Sequence, residues 1–142
     1  MIPQKETRLR VQSNLDALTP LRSTISAFIG NQLSDIEKNR VILAVDEAVS
    51  NIIIHGYKGS PEGEIELIMQ ETPEQFKFIL CDAAEPYNPL TVPDPDLDAY
   101  HEEGRDGGLG VNIYRRILKV VYEKAEEGGN RLIMIREKGD DK

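Results

Sequence analysis

Hydrophobic and polar positions along this chain change period several times, and each change predicts an element. Residues 5–12 (KETRLRVQ) alternate loosely, as a first, edge strand does. Leu15, Leu18, Leu21, Ile25, Phe28 and Ile29 then recur at helical spacing, with Ser13 or Asn14 placed to cap them. Pro20 lies inside that pattern, so the helix either starts there or bends there. Gly30 and Asn31 break it. Residues 34–57 (SDIEKNRVILAVDEAVSNIIIHGY) form the stretch around which the rest is organised. Ser34 is a helix cap and Glu37, three residues on, its capping-box partner. From Val41 to Ile54 the predicted helix is apolar almost all round, which places it inside a domain. Yet Asp46, Glu47, Ser50 and Asn51 share one stripe of it, with Glu47 and Asn51 one turn apart. A carboxylate on such a helix costs free energy unless it is paired or used, so the stripe marks a candidate site; the wet edge of a partly exposed helix is the plainer reading of the stripe by itself.

Downstream, Gly56, Gly59, Pro61 and Gly63 make a turn-rich loop. Residues 64–70 (EIELIMQ) and 75–82 (QFKFILCD) alternate as two strands joined at Thr72, Pro73 and Glu74, an antiparallel hairpin. Regularity is lost over 83–106, which holds Pro86, Pro89, Pro93 and Pro95 and many acids; a loop of that length in a domain this size is functional or disordered. It ends in Gly107, Gly108, Leu109 and Gly110 and runs into a predicted helix over 111–119. Two strands close the chain, over 120–126 and 131–137, turned at Gly128, Gly129 and Asn130. The order β-α-α-β-β-loop-α-β-β predicts an α+β fold, a two-layer sandwich with a mostly antiparallel sheet and its helices on one face.

Composition narrows the classes. The 142 residues suit a single domain over 1–142, and 39% hydrophobic with 30% charged residues is ordinary for a globular protein. A net charge of −8 leaves nothing to offset phosphate repulsion, so direct nucleic-acid binding is not expected. No run approaches the roughly 18 apolar residues of a membrane span, and no signal-peptide pattern opens the chain. One cysteine, Cys81, is expected to be a buried structural thiol in a reducing compartment, hence a cytoplasmic protein. With only His55 and His101 beside it, a structural zinc site is not expected.

Taken together, Glu47 and Asn51 on the central helix, Asp82 at a strand end and a glycine cluster at a helix N-terminus suit a magnesium nucleotide: a carboxylate for an amino group, an amide oxygen for a cation, and backbone N–H groups for phosphate. The sequence contains no GxxxxGK[ST], and GLGVNI lacks the third glycine of GxGxxG. The residues do resemble the GHKL (Bergerat-fold) ATPases, most closely their small bacterial branch of anti-sigma-factor serine/threonine kinases. DEAVSNIIIHGY resembles that family's N-box, Asp82 with the following EPYNP its first glycine box, and GGLGVNIYRRI its second; the likeness runs from about residue 5 to residue 137.

The resemblance implies a histidine-kinase-like ATPase domain that uses ATP and Mg²⁺. Asn51 would hold the metal, Glu47 would be the general base, and Asp82 would bind the adenine amino group. Residues 85–106 would form the ATP lid, and Gly108, Leu109 and Gly110 would bring backbone N–H groups to the phosphates. Asp46 and Ser50 fall beside the site, His55 reads as a packed or capping histidine, and Arg105, Arg115 and Arg116 read as solvated charges. One departure stands out: the family's Asp-x-Gly is Asp82-Ala83-Ala84 here, so Ala84 places a methyl where the backbone ordinarily approaches the base. The implied function is phosphorylation of a STAS-type anti-anti-sigma partner by a kinase that also binds a sigma factor. The alternative is a module that sequesters its partner with weak nucleotide binding or none. Members of the family often form homodimers, and residues 5–12 or the first helix would offer the interface.

Overall fold

The computed structural model describes residues 4–85, 117–125 and 128–140. They build β1 (Lys5–Gln12), α1 (Leu18–Ile29), α2 (Asp35–Asn51), β2 (Glu64–Glu71), β3 (Gln75–Asp82), β4 (Lys119–Lys124) and β5 (Asn130–Glu137). The strands form one sheet in the order β1-β2-β3-β5-β4, antiparallel at every join. The chain therefore leaves β3, reaches the far edge as β4, and turns back so that β5 fills the gap. This is the expected α+β sandwich, with β1 at an edge.

Alternation decides which side of the sheet meets the helices. Leu67, Met69, Phe76, Phe78, Leu80, Leu132 and Met134 are buried against Leu21, Ile25 and Phe28 of α1 and Val41, Ala44, Val45, Ala48 and Val49 of α2. Phe28 meets Phe76 edge-on, with ring centroids 6.3 Å apart. Burying each of these larger side chains stabilises the fold by about 1.5–3 kcal/mol. Lys77 and Cys81 point to the other side, and Cys81 is only half-buried there, not the interior thiol its apolar neighbours suggested. Burial nonetheless pushes its thiol pKa up, which disfavours the reactive thiolate.

Local chemistry corrects several details. Asn14 caps a 3₁₀ turn, Leu15–Ala17, that leads into α1, and Pro20 sits in the first helical turn. An N–H there has no intrahelical acceptor in any case, so the proline neither starts nor bends the helix. Ser34 caps α2 by accepting from the Glu37 N–H at 3.2 Å. The other half of the capping box is replaced, because the Glu37 carboxylate meets Arg136 at 3.3 Å and Arg40 at 3.4 Å. Arg136 is buried, and a buried guanidinium needs a counter-charge more than a helix end needs a second cap. Nor is α2 interior all round: Leu43 is 44% exposed, and Ile54 just beyond the helix 47%. Lys119, expected to end a helix, already pairs with Ile135 in the sheet. The expected lid, the GGLG cluster and most of the third helix lie outside the described residues. Among the described residues no helix is long and apolar enough to cross a membrane.

Candidate functional site

The site grows from the C-terminal end of α2. That helix ends at Asn51 and continues as a five-residue π turn, Ile52–Gly56, in which the Tyr57 N–H reaches the Ile52 carbonyl at 2.8 Å. Such single wide turns re-aim the residues around them and concentrate at functional positions. Asn51 is 4% exposed, and its Nδ2 is the one buried side-chain nitrogen or oxygen without a hydrogen-bond partner among the described residues. A buried amide nitrogen left unpaired costs about 1–3 kcal/mol, which marks Asn51 as a candidate functional residue. A half-turn of the amide exchanges its ends, so the same position can present Oδ1 to a cation.

Beyond the π turn, Tyr57 ties the helix to the sheet. Its hydroxyl donates to the Glu64 carbonyl at 2.7 Å and accepts from the Ala83 N–H at 2.8 Å. The Tyr57 ring occupies the space over Gly63, where any Cβ would fall 2.4 Å from it. Ala84, 6% exposed, turns its methyl toward Gly56, and a Cβ at Gly56 would come within 3.2 Å of it. The methyl expected to crowd the site is thus received by a position with no side chain.

At the end of β3, Asp82 stands opposite Asn130, the first residue of β5. Its Oδ1 accepts from Asn130 Nδ2 at 2.9 Å and from the Ala84 N–H at 2.9 Å. The chain passes tightly here. Gly129 has φ +93°, and a Cβ on it would fall 2.1 Å from the Asp82 carbonyl oxygen, so glycine is required.

Two carboxylates are displaced from their ordinary behaviour. Burial pushes the Glu47 pKa up, and the negative charge of adjacent Asp46 adds to the effect. Asp46 itself is held by Arg22 of α1, with Nη2 at 2.6 Å and Nε at 2.9 Å, and so faces away from chemistry. Burial also raises Asp82, while the hydrogen bonds from Asn130 and the Ala84 N–H act the other way.

The polar stripe on α2 therefore separates. Asp46 is an ion-pair partner, Ser50 is half-buried, Glu47 is half-buried with a raised pKa, and Asn51 is buried with an unpaired amide nitrogen. Asp82 and Ala84 join α2 through Tyr57 and Gly56. His55 is exposed rather than packed. Gly108, Leu109, Gly110, Arg105, Arg115 and Arg116 lie outside the described residues. Tyr57, Tyr122, Asn130 and Arg22 were not singled out from the sequence; the glycine pair before Asn130 is the one local sign of a close approach there.

A two-layer sandwich carrying an open amide and a half-buried carboxylate where a helix end meets a strand end is the frame of an ATPase domain of the GHKL kind. The chain belongs to the histidine kinase-like ATPase domain family, whose pattern matches residues 11–136. It is similar to the anti-sigma F factor of Bacillus cytotoxicus, 43% identical over 110 residues covering 70% of this chain and 69% of that one. It is also similar to the serine-protein kinase RsbW of Staphylococcus epidermidis, 26% identical over 134 residues, 88% of this chain and 82% of that one. A 24% identical match to the serine/threonine-protein kinase BtrW of Bordetella bronchiseptica spans 92 residues, 65% of each chain, so about a third of that kinase lies outside it. Among solved structures, the catalytic domain of the histidine kinase ThkA shares the fold, with a TM-score of 0.52 at 15% identity over 95% of this chain and 98% of that one. Family membership implies an ATP-binding domain.

Two outcomes follow for stability. Gly56→Ala should cost about 1–2 kcal/mol by crowding Ala84, and the cost should shrink in an Ala84→Gly background. Urea denaturation of the four proteins measures that coupling, and strict additivity would contradict the contact. For Glu47, a raised pKa means that ionisation opposes folding above the raised value and not below the ordinary carboxylate range. Glu47→Gln should therefore gain stability relative to wild type at neutral pH, and the gain should fade as the pH drops through the raised value. Thermal melts from pH 4 to pH 8 on the order of half a unit apart read this, and a pH-independent difference would contradict it.

Proposed function

We propose that this chain is an ATP-dependent serine/threonine protein kinase and anti-sigma factor that phosphorylates a STAS-type anti-anti-sigma partner. The reading is supported by the half-buried Glu47 and the buried Asn51 on α2, a helix whose end is tied to the turn after Asp82 through Tyr57 and Gly56. The relatives named as serine kinases and as an anti-sigma factor supply the partner class. In this reading residues 1–142 are one catalytic domain whose lid spans about 85–106.

Mg-ATP, when bound, supplies the transferable phosphoryl group and a metal that offsets its charge. Asn51 would hold the cation through its amide oxygen, a hard donor of the kind magnesium prefers. Asp82 would accept from the exocyclic amino group of adenine, and the backbone N–H groups of Gly108, Leu109 and Gly110 would serve the phosphates. Ala84 backs this pocket against Gly56, which supports nucleotide binding despite the missing glycine. Glu47 removes the proton from the attacking serine hydroxyl while the oxygen–phosphorus bond forms and the bond to the departing ADP oxygen breaks. Its pKa, raised by burial and by adjacent Asp46, suits a group that takes up a proton.

The test is phosphoryl transfer from radiolabelled ATP to a purified cognate STAS protein. Glu47→Gln should slow transfer by about 10²–10⁴-fold while leaving ATP affinity within a small factor. Transfer at the wild-type rate by the variant would overturn Glu47 as the base, and no transfer by the wild type would sink the kinase reading in favour of a partner-sequestering module.

A further inference from the structure

Asn130 is committed on every side. Its Nδ2 donates to Asp82 Oδ1 at 2.9 Å and to the Glu85 carbonyl at 3.1 Å, with the Ala84 carbonyl at 3.5 Å. Its Oδ1 accepts from the Tyr122 hydroxyl of β4. The residue is 7% exposed, and 48 positions of chain separate it from Asp82. None of this is needed to pair β3 with β5, because the backbone register already does so.

The chemistry of the amide makes the arrangement directional. A carboxylate oxygen has lone pairs and no proton, so only the Nδ2 end of Asn130 can face it favourably. The Tyr122 hydroxyl, donating to Oδ1, fixes which end that is. Among the described residues both side-chain and backbone donors to Asp82 fall on Oδ1, so Oδ2 is left as an acceptor with no donor of its own. Such an oxygen favours a ring carrying an exocyclic amino group and disfavours one carrying a carbonyl at the same place. Nδ2 also reaches the carbonyl of Glu85, the last described residue before 86–116, so one amide orients Asp82 and ties down the chain that leaves it.

We infer that Asn130, latched by Tyr122, is the positioning residue that aims Asp82 and so sets selection of an amino-purine over an oxo-purine nucleotide. The inference rests on the nucleotide site of the proposed function and adds a residue to it. Asn130→Asp keeps the shape but sets a carboxyl against a carboxyl, removing the donor. Tyr122→Phe keeps the amide but frees it to turn over.

The experiment is calorimetric titration of the full chain and of both variants with Mg-ATP and with Mg-ITP, whose base carries oxygen where adenine carries the amino group. Circular dichroism melts accompany it to establish folding. The wild type should prefer ATP by at least about tenfold, equivalent to about 1.4 kcal/mol. Asn130→Asp should bring that ratio to within about threefold, and Tyr122→Phe should fall between the two. Equal weakening of both nucleotides, with the ratio kept, would reduce Asn130 to a structural cross-link and overturn the inference while leaving the nucleotide site intact. A wild type that binds neither nucleotide would overturn the inference together with the proposed function. If Asn130→Asp does not fold, the Tyr122→Phe ratio decides.

Discussion

A half-buried carboxylate at the end of a strand has to be both solvated and aimed, and much of this structure serves that requirement. Asp82 obtains its donors from Asn130 across the β3–β5 register and from the Ala84 N–H on its own turn. That register brings Gly129 so close to the Asp82 carbonyl that no side chain fits there. Tyr57 then fastens the same turn to the end of α2 through the Ala83 N–H. Helix, hairpin and strand end are thus held at one point by hydrogen bonds whose loss would leave buried polar groups unpaired. The hydrophobic layer between sheet and helices supplies stability; this polar junction decides where the layer's open end lies.

The two carboxylates of the site are treated differently. Burial raises the Asp82 pKa, and the hydrogen bonds from Asn130 and the Ala84 N–H act against that rise. Glu47 has burial and a negative neighbour acting in the same direction, with no hydrogen bond among the described residues opposing them. Arg22 helps keep the roles distinct by engaging Asp46, so the neighbouring charge is partly neutralised. Asn51 lies one turn beyond Glu47 with its amide open, and the π turn that follows directs the chain toward Ala84.

Much of this was legible in the sequence. The strands at 5–12 and 75–82 match their alternation, because alternation is a local consequence of one face being buried. Ser34 was legible as a cap for the same reason. Glu37 was misjudged because its partner, Arg136, is 99 residues away, and a buried counter-charge outweighed a local cap. The π turn was hidden, since a run of three isoleucines carries no mark of where a helix widens. Asn130 was missed because its meaning comes from register across the sheet, which composition does not encode. Ala84 was legible as a departure but not in its consequence, since the space that receives its methyl belongs to Gly56, a residue from another element. The family resemblance reached Glu47, Asn51 and Asp82 without any of these contacts; the contacts show how the turn after Asp82 is tied to the end of α2.

The central claim is that α2 and the end of β3 form a metal-dependent nucleotide site. Titration of the wild-type chain and of Asn51→Ala with ATP, in the presence and absence of Mg²⁺, tests it most directly. The wild type should bind with micromolar affinity, about 8 kcal/mol, weakened at least about tenfold by removing either the metal or the Asn51 amide. Wild-type affinity that is indifferent to both magnesium and Asn51, or no binding of ATP at all, would contradict it.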